Sequence, residues 1–339
     1  MASTDDVVAN EAELPEAGWL TALLGLPAMG PRRLAALLDG RSPAEAWVVV
    51  RSGRPLPEVA AVVGGRVAAL ATEWAEAARA IQPEAVWSAT RAAGVEVVAY
   101  GDASYPRCLL DDPEPAPVLF AVGRLEAVAV PSRVAIVGTR RCTRYGRDVA
   151  TELGGSLAEA GVAVVSGLAL GIDGAAHAGA LAAGGASPIG VVATGLDIVY
   201  PVANRRLWNR VAEAGVLLSE APLGTGPRGW RFPARNRIIA GLADVVVVVE
   251  SHASGGSLYT VEAALERDRP VLAVPGPIHS PASRGTNHLL AEGCVPLCGI
   301  DDVLTALGLV GSTPAPADRR PSPGEPDLGV LQAAGWSPT

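Results

Sequence analysis

The sequence predicts an α/β fold with a doubly wound, mostly parallel sheet, preceded by a small all-helical domain. Residues 245–249 are five consecutive valines, a pattern typical of a parallel strand covered on both faces. From Val95 onward, short apolar runs alternate with alanine-rich helical patterns, as consecutive βα units require. Several of these runs lead directly into glycine, where the backbone can turn sharply toward the next helix.

Length and composition limit the classes of function. A chain of 339 residues is long enough for two or three domains. The net charge of −8 excludes a general polyanion binder, so any nucleic-acid site must be a local patch. All 27 basic residues are arginine, which excludes a P-loop and Schiff-base or pyridoxal-phosphate chemistry.

No cofactor or metal site is predicted. The four cysteines are scattered, and no histidine or further pair completes a metal set around the closest two, so we interpret them as buried reduced thiols. The sequence shows no signal peptide and no apolar run of membrane-spanning length, which predicts a cytoplasmic protein.

Composition divides the chain into five parts. Residues 1–14 are predicted to be a disordered acidic tail, 15–93 a helical domain, and 94–309 the α/β domain. Residues 310–325 are predicted to be a Pro/Ser-rich linker, and 326–339 the start of a further, truncated or missing domain.

In the helical domain, a turn before Pro31 joins two helical patterns, and further helices are expected over 43–50 and 57–80. A helix, glycine-containing hairpin and helix resemble a helix-hairpin-helix or SAM-like unit that presents backbone N–H groups to phosphate. An ordinary helical bundle is the alternative.

The α/β domain is predicted to contain eight strands and four or more helices. The strands are VEVVAY, VLFAVG, VAIVG, VAVVSG, IGVVAT, VLLSE, DVVVVVE and VLAVPG. Helices between them are expected over 144–160, 174–183, 204–214 and 257–267.

A small-residue loop follows the valine strand and opens a helix. Ligands bind just past the carboxyl ends of the strands in such sheets, and free N–H groups at a helix start favour an anion. The loop consists of Ser254, Gly255, Gly256 and Ser257, and the arginines upstream of it are Arg228, Arg231, Arg235 and Arg237. The ligand predicted here is phosphate, free or polymeric.

A second candidate site follows the strand that ends at Gly138. The positions two and five residues later are Arg140 and Thr143 instead of glycines, and no acidic residue is placed for a ribose, so dinucleotide binding is not favoured. An arginine at a strand end suits an isolated phosphate better.

A third group of candidates follows the next two strands. Asp173 and His177 could form a catalytic pair, but we favour a helix cap and a packed core histidine. Asn204 could cap a helix that begins with Arg205 and Arg206.

The charge is locally anomalous over residues 205–237, which contain seven arginines and two acids. Trp208, Trp230 and Phe232 lie within this segment and could stack on bases or pack in the core.

Several of these motifs resemble the DNA-processing protein A (DprA/Smf) family over about residues 95–304. They are GTRRCTRYG, VVSGLALGIDGAAHAGAL, TGLDIVYP, LLSEAPLG, WRFPARNRIIAGLADVVVVVE, SGGSL, AVPG and HSPASRGTNHLLAEG. The resemblance implies an extended Rossmann fold, often with a SAM-like domain before it and a winged helix after it. It also implies a homodimer that binds single-stranded DNA and loads RecA recombinase onto it during natural transformation, without catalysis.

Carried onto matching positions, the resemblance implies a DNA pocket at the carboxyl edge of the sheet. Its residues would be Gly138, Thr139, Arg140, Ser166, Gly167, Asn204, Arg205, Arg206, Arg235, Asn236, Arg237, Ser254, Gly255, Gly256 and Ser257. Many relatives have a basic residue near Val202, so Arg205 or Arg206 would supply that charge here.

Two other functions stay open. Residues 255–262 resemble the Gly-Gly-x-Gly-Thr-x-x-Glu motif of nucleoside-monophosphate phosphoribohydrolases, with Glu262 as the acid. Leu258 replaces the second glycine of that motif and crowds the approach of a phosphate. The arginines could instead serve a protein partner. The roles of Tyr259 and Glu262 are not predicted.

Overall fold

The structure is a computed structural model, and it describes residues 14–309. The α-helices in this range are α1 (Glu16–Leu24), α2 (Pro31–Leu38), α3 (Pro43–Ser52), α4 (Pro57–Val63), α5 (Val67–Ala80), α6 (Pro83–Ala92), α7 (Arg144–Glu159), α8 (Ile172–Ala183), α9 (Arg205–Ala214), α10 (Arg231–Leu242), α11 (Leu258–Leu265), α12 (Arg284–Ala291) and α13 (Ile300–Ala306). The strands are β1 (Glu96–Ala99), β2 (Val118–Gly123), β3 (Arg133–Val137), β4 (Ala163–Ser166), β5 (Ile189–Val191), β6 (Val216–Ser219), β7 (Val245–Val248), β8 (Val271–Ala273) and β9 (Val295–Pro296).

The strands form one sheet in the order β1-β2-β6-β5-β4-β3-β7-β8-β9. All neighbours from β6 to β9 are parallel, whereas β1 pairs with β2, and β2 with β6, antiparallel. The chain winds one way from β3 through β6 and the other way from β7 through β9, so the winding reverses between β3 and β7. The predicted α/β fold with a mostly parallel, Rossmann-like sheet is confirmed.

Both faces of the central strands are buried, which explains the run of valines. Val246 and Val248 belong to the core on one face of the sheet, and Val245, Val247 and Val249 to the core on the other. None of the five is more than 1 % exposed. Alternate residues of a strand point to opposite faces, so a strand covered twice has no position for a polar residue.

The helices of residues 16–92 share a hydrophobic core with the antiparallel end of the sheet. Leu23, Leu34 and Trp47 from the helices pack in one cluster with Phe120 of β2 and Leu217 of β6. Burial of each such side chain contributes about 1.5–3 kcal/mol. The helical segment is therefore held on the sheet by its own core residues.

Local signals in the sequence start these helices. Pro31, Pro43, Pro57 and Pro83 stand first in their helices, where proline's missing N–H costs nothing. Before α3, the Ser42 N–H donates to the Glu45 carboxylate at 2.8 Å in a capping box.

Two details of the predicted order of elements were wrong. The single helix expected over 57–80 is split into α4 and α5, because Gly64 adopts φ +63° and ends α4. The short edge strand β9 was not foreseen. The predictions for residues 1–13 and for the linker and the further domain from residue 310 onward lie outside the described residues.

Between residues 14 and 309, no helix combines the length and the apolar character needed to cross a membrane. The four cysteines are free thiols. Burial raises the pKa of Cys108 and of Cys294. Cys298 is exposed, so the expectation that all four thiols are buried is wrong.

Candidate nucleic-acid interface at the carboxyl edge of the sheet

The loop from β3 to α7 lies where the winding of the sheet reverses, which is the usual ligand position in such folds. The Thr139 N–H donates to the Glu250 carbonyl at 2.7 Å, joining this loop to the end of β7. A Cβ added to Gly138 would lie 2.7 Å from the same carbonyl oxygen, so this close approach requires glycine.

Arg140 is exposed in this loop and stacks on an aromatic pair. Its guanidinium carbon lies 4.8 Å from the centroid of the Phe232 ring, and the Tyr200 ring centroid lies 5.5 Å from that of Phe232. We call Arg140, Phe232 and Tyr200 the Arg140 stack. It joins loops that follow β3 and β5 to α10 and presents a cation beside ring faces, the combination that suits phosphate and base together.

Ser166, at the end of β4, and Asn204, after β5, both hold backbone at the sheet edge. The Ser166 hydroxyl donates to the Ile136 carbonyl at 2.6 Å, and the Asn204 amide donates to the carbonyls of Leu168 and Ala169 at 2.9 and 3.1 Å. Asn204 stands immediately before α9, but its side chain makes no capping hydrogen bond. The expected cap, in which the side-chain oxygen would accept from an N–H of α9, is therefore wrong; the side chain instead donates to the loop after β4.

Asp173 differs from its expected role in a similar way. α8 begins at Ile172, two residues earlier than a cap at Asp173 would allow, after Gly171 with φ +81°. The buried Asp173 carboxylate instead accepts from the Gly167 N–H at 3.2 Å. His177 is fully buried, as the packing interpretation predicted, and neither ring nitrogen has a hydrogen-bond partner among residues 14–309.

Arg235 is brought to the same loop, but it is buried. Its guanidinium donates to the Val191 carbonyl, and a Cβ on Gly167 would lie 1.9 Å from its Nη1. Burial lowers the pKa of Arg235 to about 10, with nearby Asp173 opposing and Arg140 adding to that shift. Burial also raises the pKa of Asp173, with Arg235 opposing. Arg235 stays charged at neutral pH and balances a buried carboxylate.

Arg237 lies on the other side of α10. Its Nη1 donates to the Glu114 carbonyl at 2.6 Å, and its Nη2 forms a buried ion pair with Glu220. Burial raises the pKa of Glu220, and Arg237 opposes that shift. Residues two apart on a helix are about 200° apart around its axis, so Arg235 and Arg237 cannot face one site. The guanidinium of Arg237 is used in tying α10 to the segment before β2.

The loop after β7 meets α10 through Asn236. The Asn236 amide donates to the Gly256 carbonyl at 3.3 Å. The Ser257 hydroxyl is buried and donates to the Ser251 hydroxyl at 2.9 Å, whereas Ser254 and Gly256 are exposed. In this loop, the exposed residues and the backbone are accessible to a ligand, and the Ser257 side chain is used internally.

Of the remaining basic candidates, Arg205 and Arg206 are exposed in the first turn of α9. Trp208 of the same helix is 4 % exposed and belongs to the core, so it is not a stacking surface. Trp230 is 48 % exposed and can be one.

Sequence reasoning missed the contact between Glu250 and Thr143. The buried Glu250 carboxylate accepts from the Thr143 N–H at 2.9 Å and from its hydroxyl at 2.6 Å. Thr143 in turn caps α7 by accepting from the Gly146 N–H at 3.1 Å. A carboxylate thus lies at the start of α7, where a dinucleotide pyrophosphate lies in Rossmann folds. The sequence signal for this contact was Glu250 itself, an acidic residue directly after the five valines.

In the part of the chain that the structure describes, no group of three or more His, Cys, Asp or Glu residues could hold a metal ion. The groups that the fold brings to the sheet edge are arginines, aromatic rings and loop backbone. Such a set binds phosphates and stacks bases.

Comparisons with known proteins agree with this geometry. Residues 96–308 match the family model described as DNA recombination-mediator protein A. The chain is 39% identical over 222 residues to the DNA processing protein DprA of Bacillus subtilis, covering 66% of this chain and 74% of that one. It is 37% identical over 233 residues to the protein Smf of a Synechocystis species, covering 68% of this chain but only 58% of that longer protein.

Two solved structures have the same fold. The X-ray structure of DNA processing protein A from Streptococcus pneumoniae superimposes with a TM-score of 0.71 at 32% identity, covering 86% of this chain and 98% of that one. DNA processing protein A from Helicobacter pylori, whose structure is described as revealing its single-stranded DNA binding mode, gives 0.57 at 30% identity, covering 63% and 95%. This chain therefore belongs to the DNA recombination-mediator protein A family, that of DNA-processing protein A.

Proposed function

We propose that this chain is a cytoplasmic, non-catalytic protein that binds single-stranded DNA at the carboxyl edge of its sheet. We propose further that it acts as a homodimer in DNA processing during natural transformation and loads RecA recombinase onto the bound strand. Membership of the family and the single-stranded DNA binding described for the Helicobacter relative support the first proposal. RecA loading and the dimer rest on the family resemblance.

The observation that carries DNA binding is the Arg140 stack. An exposed guanidinium lies over the Phe232 ring, which contacts the Tyr200 ring, in a loop that directly follows Gly138. Arg–phosphate pairs and base–aromatic stacking are independent of base identity, as a protein that handles incoming strands requires.

The test is fluorescence anisotropy of labelled single- and double-stranded oligonucleotides over a series of salt concentrations. Wild type should prefer the single strand, and its binding should weaken with salt. Arg140→Ala should bind about tenfold more weakly, and the logarithmic salt slope should fall by about 0.7, the value for one phosphate. Arg79→Ala, at an exposed arginine of α5, is the matched control and should behave as wild type.

Arg140 is a sharper probe than Arg235 or Arg237, because those two are buried and neutralise internal acids. Equal binding by Arg140→Ala and wild type would refute the site. RecA loading is measured as the rate of RecA filament formation on strands coated with single-strand binding protein. That rate should rise with wild type and rise less with Arg140→Ala.

The phosphoribohydrolase alternative makes a different prediction. Glu262 is exposed on α11 and lines a cleft with Tyr259. If the chain were this enzyme, it would release free base from nucleoside monophosphates and Glu262→Gln would abolish the release. We expect no release from either protein.

A further inference from the structure

A cleft of about 1580 Å³ lies between the α1–α2 hairpin and the starts of α10 and α11. Gly30 and Arg33 line it on the hairpin side, and Arg228, Trp230 and Arg231 on the α10 side. We call it the hairpin cleft. None of the Arg140 stack lines it, so it is a separate surface.

The charged residues of the hairpin cleft are unevenly distributed between its walls. Six arginines and four glutamates line it, in a protein whose net charge is −8. Three of these arginines are neutralised locally, because Arg32 pairs with Glu114, Arg41 with Glu58 and Arg237 with Glu220. The remaining charges are separated, with Arg228 and Arg231 on the α10 side and Glu262 on α11, so the α10 wall of the cleft is locally cationic.

Arg228 and Arg231 supply the uncompensated charge. Neither forms an ion pair with a carboxylate among residues 14–309, and the buried Nε of Arg231 has no hydrogen-bond partner there. Burial lowers the pKa of Arg231, and the charge of Arg228 lowers it further, while Glu220 opposes the shift. Two like charges are thus held near each other, an arrangement that an anion would relieve.

An exposed aromatic ring completes this surface. The Arg231 guanidinium carbon lies 4.6 Å from the ring centroid of Trp230, which is 48 % exposed. The next residue, Phe232, belongs to the Arg140 stack. The start of α10 therefore contributes Phe232 to the stack at the sheet edge, and Trp230 and Arg231 to the lining of the hairpin cleft.

The two surfaces are neighbours. A smaller cavity is lined by Trp230 and Arg231, which also line the hairpin cleft, and by Arg235, which contacts Gly167 at the sheet edge. The start of α10 therefore supplies residues to this cavity, to the hairpin cleft and to the sheet edge.

We infer that the hairpin cleft is a second subsite for single-stranded DNA. A strand held at the sheet edge crosses the first turn of α10 and continues into the cleft, where a base stacks on Trp230 and phosphates contact Arg228 and Arg231. Glu262 of α11 and Glu266 directly after it line the opposite side of the cleft and keep the polyanion on the α10 wall. The inference rests on the proposed DNA binding at the sheet edge.

The experiment compares two lengths of labelled oligo-dT by fluorescence anisotropy, about 6 nucleotides for the sheet edge alone and about 20 for both subsites. In wild type, the longer strand should bind more tightly. Trp230→Ala/Arg231→Ala should bind the longer strand about tenfold more weakly and the shorter strand as wild type does. Arg228→Ala/Arg231→Ala should lower the salt slope for the longer strand by about 1.4, for two phosphates.

The chain offers a matched control in α6, where the guanidinium carbon of Arg91 lies 5.7 Å from the ring centroid of Trp87, outside the cleft. Trp87→Ala/Arg91→Ala removes the same residue types and should leave both lengths unaffected. Trp230→Phe keeps a stacking ring and should retain most of the binding. Thermal denaturation of each variant checks that it folds.

The outcomes separate the two proposals. If wild type binds neither length, the proposed function fails and the second subsite fails with it. If both lengths bind but the cleft variants keep wild-type affinity for the longer strand, only the second subsite is refuted. An equal loss for both lengths, or a change of oligomeric state in gel filtration, also refutes it, because the residues would then serve the sheet edge or contacts between copies.

Discussion

Replacing Glu250 with alanine should destabilise the fold and loosen the loop that carries Arg140. Glu250 is 2 % exposed and accepts two hydrogen bonds from Thr143, at 2.9 and 2.6 Å. A hydrogen bond to a charged group contributes about 1.5–3 kcal/mol, and a buried donor without its partner costs a similar amount. With partial rehydration of the space left behind, the free energy of unfolding should fall by about 4 kcal/mol.

The assay is urea denaturation followed by circular dichroism. With an m-value of about 3 kcal/mol/M, the midpoint of Glu250→Ala should fall by about 1 M. Glu250→Gln keeps the shape and one strong acceptor, so it should lose about 2 kcal/mol. Asp148→Ala is the control: its carboxylate, also near the start of α7, forms an exposed pair with Arg144 at 3.6 Å, worth less than about 1 kcal/mol.

The same variants test the link to the proposed function. Because Glu250 holds Thr143 and its carbonyl holds Thr139, loss of the side chain frees one end of the loop and should weaken single-strand binding severalfold. Glu250→Gln should retain most of the affinity. A loss of less than about 1 kcal/mol in Glu250→Ala would refute the reasoning, because charge-assisted bonds of this kind would then contribute almost nothing here.

Two further predictions concern the buried site. Burial lowers the pKa of His177 from 6.5 to about 4. Between these two pH values the unfolded chain takes up a proton that the folded chain does not. The free energy of unfolding should therefore fall as the pH drops from 6.5 to about 4, by on the order of 3 kcal/mol. Urea denaturation at each pH should show a flatter dependence of stability on pH for His177→Leu than for wild type. His288→Gln, at an exposed histidine, is the control and should leave that dependence unchanged. An equally steep dependence for His177→Leu would contradict the assignment. Gly167→Ala places a Cβ 1.9 Å from Nη1 of Arg235 and should cost about 1–3 kcal/mol together with single-strand affinity. The control is Gly65→Ala, in the turn between α4 and α5, where a Cβ meets no atom within 4 Å; it should match wild type in both assays.

The elements of the fold were predictable because their signals are local. The five valines of residues 245–249 indicate a buried strand, and a proline at the first position indicates the start of a helix. Each signal lies within a short window of sequence. The antiparallel pairing of β1 with β2, and of β2 with β6, was not predictable, because the partner of a strand depends on the whole chain. The break at Gly64 was missed since an apolar helical pattern continues through it.

The position of the candidate site was predicted more accurately than the roles of its residues. The place of Arg140 was predictable, because an arginine that comes just after a strand end lies at the edge of the sheet. Arg235 and Arg237 were expected in one pocket, but they lie on opposite sides of α10, because residues two apart on a helix are about 200° apart around its axis. Asn204, Asp173 and Ser257 were expected as caps or ligands, yet each holds a loop.

The sequence by itself determined the fold class, the family and the edge of the sheet where the candidate binding residues lie, because periodicity and motif order can be read along the chain. Tertiary structure alone decided which charges are free. Glu250 and Thr143 are 107 residues apart in the chain and in contact in the fold. Arg237 pairs with a buried acid and Arg140 is exposed to solvent, and this difference depends on partners that are distant in sequence. Because a buried charge must be paired, the fold decides which arginines stay accessible to a ligand.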